Sequence, residues 1–344
     1  MKNLIICPEK PSSVLEKMIS SANNNNYFDL ICESFDEIDY RNKRIIFAVE
    51  LGISGISINL MKILKFLEER GKSSMMNSIG GVLIHSSSEL YTRSVGRDII
   101  FRCNQMGCSF PGRPIVEATN SLRNFANFKK YFDMNLEEAC LKNSEDLIKR
   151  LLNHNRNNKT NPKILAIHSS NANTSNTYML WRLVRKHLSK CDLKEIYLGE
   201  ENINDCRGCL FAVCNYFGEQ TSCFYRDIVV EQVYPGILEA DYIIFICPNY
   251  NDSLMANLTA TVNRLTALYR TNSFYNKTLY SIVVSGNTGS DIISKQLISS
   301  LNINKTFRLP PYFSLMETAN YPKDILKVPK INEKAKEFAD NILK

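Results

Sequence analysis

The sequence predicts an α/β protein whose second half is a doubly wound, parallel five-stranded sheet. Three observations carry this reading. Apolar strand-like runs alternate with helical periods after residue 163, polar loops follow several of those strands, and part of the pattern recurs earlier in the chain. Leu152–Pro162 is polar and ends in proline, so 153–162 reads as a linker between domains 1–152 and 163–344.

In chain order, strand 163–168 precedes a helix around 176–189, and strand 195–198 leads into a long cysteine-bearing loop. A helix near 228–238, strand 242–247, helix 254–270, strand 279–285 and helix 289–301 follow. The last helix, 331–343, aligns Ile331, Ala335, Phe338, Ala339 and Ile342 on one face. Strands alternating with helices make βαβ units, and five short strands suit the flavodoxin-like order.

The first half repeats part of this. Residues 45–67 lie over 243–265 at an offset of 198, while Val82–Ile84, Pro111 and Glu117–Asn120 find counterparts at an offset of 200. The copy is degenerate: its first loop, Cys7-Pro-Glu-Lys-Pro11, offers prolines that lack N–H groups and a carboxylate that repels anions. A single cofactor site per chain is therefore expected, in the second copy.

Composition excludes several classes. At 344 residues, 44% hydrophobic and a formal charge of +7, the basic residues are scattered, which argues against a nucleic-acid surface. No apolar run approaches the roughly 18–20 residues of a membrane helix. Met1–Lys10 has too short an apolar core for a signal peptide. Eleven cysteines without such a signal point to a reducing cytoplasm rather than a disulfide framework. Cys7, Cys32, Cys103, Cys108, Cys140, Cys191 and Cys247 read as buried or incidental thiols.

Three loops fall at strand carboxyl ends, where doubly wound sheets bind ligands. Ser169–Thr177 is uncharged and rich in hydroxyls and amides, so it can cap a helix or cradle a phosphate on backbone N–H groups. Pro248–Ser253 offers Tyr250 to a planar ring and Asn249 and Asn251 to its heteroatoms. Ser285–Gly289 permits close backbone approach at Gly286 and Gly289. Each loop alone is also ordinary turn chemistry. Together they are best explained by a flavin mononucleotide (FMN) site.

The second half resembles the NADPH-dependent FMN reductase family of flavodoxin-like proteins and the related iron–sulfur flavoproteins. Ile167–Thr177 is similar to the family's G-S-x-R-x-x-S-N-T loop, Glu239–Tyr250 to its A-D-x-I-I strand with its following proline and tyrosine, and Leu258–Arg264 to its L-K-x-x-x-D-R helix. The resemblance spans about 163–300. It implies that Ser170, Ser175, Asn176 and Thr177 hold the phosphate, and that Pro248, Asn249, Tyr250, Asn251, Gly286 and Gly289 flank the isoalloxazine. Ser169, Asn171, Ser285 and Asn287 complete the candidate set. The chain departs from the pattern at Ser169 (Gly), Ala172 (Arg), Thr259 (Lys) and Asn263 (Asp).

Cys206-x2-Cys209-x4-Cys214-x8-Cys223 can hold an iron–sulfur cluster or zinc, or act as redox-active thiols. The resemblance implies a [4Fe–4S] cluster, although the family's spacing is tighter, and the loop is expected at the same edge as the flavin loops. His168 ends the first strand and reads as a packed neutral imidazole, with flavin contact as the alternative. His85, His154 and His187 have no partner pattern.

The expected activity is transfer of electrons or hydride from NAD(P)H through FMN to a small-molecule or protein acceptor, with no catalytic acid or base required. The alternatives are an iron–sulfur flavoprotein electron carrier and a non-enzymatic flavin- or metal-binding scaffold. The resemblance also implies a homodimer, or the two halves serving as an internal pseudo-dimer.

Overall fold

The computed structural model describes residues 2–128, 133–155, 159 and 161–344. The chain forms two compact units: Met1–Arg156 with Pro310–Tyr312, and Asn157–Leu309 with Phe313–Lys344. The expected linker falls in part on 156–158 and 160, which lie outside the described residues.

In the first unit the strands are β1 (Lys2–Ile6), β2 (Asp29–Ile31), β3 (Lys43–Leu51), β4 (Ser78–Ser86), β5 (Cys108–Ser109) and β6 (Ile115–Ala118). The helices are α1 (Ser13–Ala22), α2 (Ile58–Glu69), α3 (Thr92–Gln105) and α4 (Leu136–Asn153). The sheet runs β2-β1-β3-β4-β5, with β6 also on β4, and every pairing is parallel.

The second unit has β7 (Lys163–His168), β8 (Asp192–Tyr197), β9 (Tyr242–Pro248), β10 (Thr278–Ser285) and β11 (Ser314–Thr318). Its helices are α5 (Asn176–Arg185), α6 (Phe211–Glu219), α7 (Tyr234–Glu239), α8 (Ala256–Tyr269), α9 (Ser290–Leu297) and α10 (Ile331–Leu343). The order β8-β7-β9-β10-β11, again all parallel, is the flavodoxin-like one.

The central strands β9 and β10 are buried along their whole length, as strands covered by helices on both faces must be. On one face, Trp181, Leu180 and Val184 of α5 and Phe338, Ala339 and Ile342 of α10 pack on Ile164, Ile244 and Ile282. The repeat extends to strand pairing. Ser78 pairs with Cys108 in the first sheet and Thr278 bridges Arg308 in the second, each 200 residues on.

Three elements differ from expectation, the first being α6 (Phe211–Glu219), which stands inside the stretch read as a long cysteine-bearing loop. β8 begins at Asp192 rather than 195, because its outer-edge position tolerates the alternation Asp-Leu-Lys-Glu-Ile. β11 has only one fully buried residue, Ser314, so no apolar run marks it as a strand. No helix among the described residues is long and apolar enough to cross a membrane.

Candidate functional site

β7, β9 and β10 are adjacent and parallel, so the loops after them open on one edge of the second sheet. After β7, Asn171 folds the chain back: its Oδ1 accepts from the Asn173 N–H at 2.9 Å, and its carbonyl from the Ser175 N–H at 3.1 Å. Ser175 is the N-cap of α5, its Oγ accepting from the Tyr178 N–H at 3.2 Å. The N–H groups of Asn176 and Thr177 have no acceptor within the helix.

Below this turn, Ser169 and Ser170 are 2% and 3% exposed, and both hydroxyls are buried without a partner. An unpaired buried polar group costs about 1–3 kcal/mol, so two in succession fit a loop built around a guest with hydrogen-bond acceptors. The Asn176 side chain is committed elsewhere. Its Nδ2 donates to the carbonyls of Ala319 (3.2 Å) and Tyr321 (2.8 Å), and its Oδ1 accepts from the Ile325 N–H, fixing α5 to the segment after β11.

After β9, Tyr250-Asn-Asp-Ser253 forms a tight hairpin in which Tyr250 and Ser253 exchange backbone bonds. Asn251 and Asp252 have φ of 52° and 55°, the left-handed conformation that Asn and Asp tolerate best. The hairpin leaves Tyr250 57% exposed, free to lie along a ring. Asn249 joins this loop to the next one, its Nδ2 donating to Asp252 Oδ1 (3.2 Å), Ser285 Oγ (3.0 Å) and the Thr288 carbonyl (3.2 Å). These donations set the amide's orientation and leave Asn249 Oδ1 buried and unpaired.

Ser285 Oγ also meets Ser290 Oγ at 2.7 Å, and Asn287 is exposed at the loop tip. Gly289 has φ +89°, and a Cβ there would lie 2.3 Å from Asp252 Oδ1 and 3.0 Å from Asn249 Nδ2. Gly289→Ala therefore pushes the two loops apart. We expect about 1–2 kcal/mol of lost stability from the backbone conformation alone, and weaker uptake of a planar ligand, checked by parallel urea and flavin titrations. Unchanged values in both would show that the loops are not packed this way.

At the corresponding edge of the first unit, carboxylates stand where an anion would sit. Glu50 accepts from the N–H of Ser12, the N-cap of α1, at 3.0 Å, and lies 2.6 Å from His85 Nδ1. Glu9 accepts from Ser57 Oγ and the Asn59 N–H, both at 3.0 Å, at the start of α2. Ser12 Oγ and Glu50 share the same ring nitrogen of His85, so the trio is no proton relay from serine through imidazole to carboxylate. Both helix starts are satisfied by the chain itself.

Glu195 was not singled out in the sequence, yet it is the electrostatic hub beneath the loop after β7. It accepts from Tyr178 OH (2.9 Å), Trp181 Nε1 (3.0 Å) and Arg185 (3.0 Å) of α5, and lies 3.2 Å from His168 Nε2. Burial alone would raise its pKa, but the bonds from His168, Trp181 and Tyr178 overcome this and hold it at about 2. The only sequence signal was a carboxylate within a strand.

The four grouped cysteines line one cavity of about 210 Å³ with Phe217, Phe224, Tyr225 and three arginines, and no carboxylate lines it. The expectation that their loop opens at the flavin edge is corrected. The lining residues Arg264, Ala267 and Arg270 lie about 12–20 Å along α8 from the end nearest that edge. Buried Arg264 draws the loop down by bonding Asp227 and the Tyr225 carbonyl, and Gly218 lets α6 approach the Ala267 carbonyl. No group of three potential ligands converges for a metal among the described residues.

Residues 162–320 match the family described as NADPH-dependent FMN reductase, so the resemblance read from three short segments is borne out over that stretch. No curated protein matches the chain. Among solved structures, a Trp repressor binding protein from Bacillus subtilis is similar at 19% identity, covering 51% of this chain and 98% of its own, with a TM-score of 0.36. An NAD(P)H:quinone oxidoreductase from Methanothermobacter marburgensis is similar at 15% identity, 54% and 98% coverage and a TM-score of 0.40. An FMN-dependent NADH-azoreductase from Bacillus anthracis gives 12% identity, 53% and 100% coverage and a TM-score of 0.37.

Proposed function

We propose that the second unit binds one FMN and passes electrons from a reduced pyridine nucleotide to a small-molecule or protein acceptor. One observation carries this reading. Three adjacent parallel strands end at one edge in loops whose only buried unpaired side-chain atoms are the hydroxyls of Ser169 and Ser170 and Asn249 Oδ1, among the described residues. The hydroxyls and the start of α5 suit a phosphate. Tyr250 and the Asn249 carbonyl suit the face and N–H edge of a ring.

FMN when bound supplies the redox chemistry, and the protein's part is to place it. Ser169, Ser170, Ser175 and the N–H groups of Asn176 and Thr177 hold the phosphate end. Asn249, kept in one orientation by Asp252 and Ser285, presents an acceptor, and Gly286 and Gly289 let their loop close on Asn320, Asp252 and Asn249 and so fix that acceptor in place. Tyr250 covers an exposed face and leaves room for a second planar molecule.

The visible spectrum of protein purified without air tests this. Two flavin bands that bleach on addition of NADPH or NADH support it, and a colourless protein that takes up no FMN sinks it. A second reading, the iron–sulfur flavoprotein, is favoured by the four thiols sharing one cationic cavity. An added broad shoulder lost in the Cys206→Ser variant would establish it.

A further inference from the structure

The loop Ser169–Thr177 has no Lys or Arg, and Ala172 stands where the family carries arginine. A phosphate dianion placed there would lie near a second anion, Glu195, whose carboxylate meets the last residue of β7. Arg185 pairs with that carboxylate from the solvent side, at 52% side-chain exposure. A cation between the two anions would remove the repulsion.

His168 is the side chain that touches that carboxylate where β7 enters the loop. It ends β7 directly before the two unpaired serines, is 4% exposed, and has Nε2 at 3.2 Å from Glu195 Oε1. Its ring lies against Tyr178, in the first turn of α5, with centroids 4.7 Å apart, and against Tyr197 of β8 at 5.2 Å. Its Nδ1 is buried without a partner, so three consecutive residues each hold an unsatisfied polar atom at the start of one loop. A neutral imidazole with its proton on Nε2 answers Glu195 only. An imidazolium answers Glu195 from one nitrogen and a guest anion from the other.

We propose that His168 is a phosphate-binding residue, its Nδ1 facing the guest and Glu195 its positioning partner, and so replaces the family's missing arginine. This rests on the FMN reading above and adds its discrimination for the phosphorylated flavin. The titratable groups facing His168 are Glu195 and Tyr197 of β8 and Tyr178 of α5, and Arg185 bonds the other carboxylate oxygen of Glu195.

The test compares FMN with riboflavin, which lacks the phosphate, by calorimetry on apoprotein of the wild type, His168→Gln and Glu195→Gln. A charge-assisted hydrogen bond corresponds to about a ten- to hundredfold change in affinity. His168→Gln is expected to weaken FMN by that factor and leave riboflavin within about twofold, with Glu195→Gln showing the same selectivity to a smaller degree. Equal losses for both flavins would overturn the role of His168. If the wild type takes up neither flavin, the FMN reading itself falls. A thermal scan of each apoprotein separates misfolding from lost recognition.

Discussion

Arg264→Leu lowers the unfolding free energy of the second unit by about 3–5 kcal/mol, the usual result of stripping one partner from a buried ion pair. Arg264 is 1% exposed, and its guanidinium joins three points of the cysteine loop: the Asp227 carboxylate and the carbonyls of Tyr225 and Asn204. Its own carbonyl accepts from Tyr234 OH at 2.6 Å, so α7 is tied to the same turn of α8. Leucine leaves Asp227 ionised beneath that turn without its counter-charge. Lysine restores the charge but cannot bond two acceptors in one plane, so Arg264→Lys recovers only part of the loss. Trp181, the only tryptophan in the chain, lies in the second unit and reports its urea transition selectively. A loss below about 1 kcal/mol, the range of an exposed pair, would mean that Arg264 does not hold the loop.

Acid weakens the second unit through Glu195. Its folded-state pKa of about 2 lies below the ordinary 4.5, so the folded state binds this proton less readily than the unfolded chain. The resulting stability is fully present above about pH 5 and is lost as pH falls from there toward 2. The shift corresponds to roughly 3 kcal/mol at neutral pH. Glu195→Gln keeps the shape and removes the titration. Its urea midpoint is expected to lie below that of the wild type at pH 7, and the two curves should converge near pH 2–3. Curves that stay parallel across that range would show that Glu195 is not the group responsible. Glu50 in the first unit has the same sign: burial works against it, but bonds from His85 and Ser12 hold its pKa down. The Trp181 signal keeps the two units apart.

Much of the second unit was legible because its signals are local. Buried strands such as Tyr242–Pro248 are continuous apolar runs, and helices such as α10 carry a strict apolar face. The candidate loops stood out by composition at strand ends. What stayed hidden depends on side chains reaching across elements. Glu195 looked like one charge in an edge strand, since its donors come from β7 and from α5. Asn176 matched a phosphate motif, yet its amide serves the segment after β11, some 143–149 residues on in sequence. The cysteine loop was assigned to the ligand edge because it follows a strand there. Its descent along α8 is set by Arg264 and Gly218, whose partners lie about 40–60 residues away in sequence. The repeat, by contrast, proved readable from spacing alone, and the pairings Ser78–Cys108 and Thr278–Arg308 extend it.

Hydrogen exchange of the apoprotein with and without FMN tests the placement of the cofactor most directly. One equivalent of FMN is expected to slow exchange in 169–178, 249–254 and 286–291, with no change in 206–225 or in the first unit around Ser12 and Asn59. Protection confined to the cysteine loop or to the first unit, or none at all at saturating FMN, would contradict a flavin held at the carboxyl edge of the second sheet.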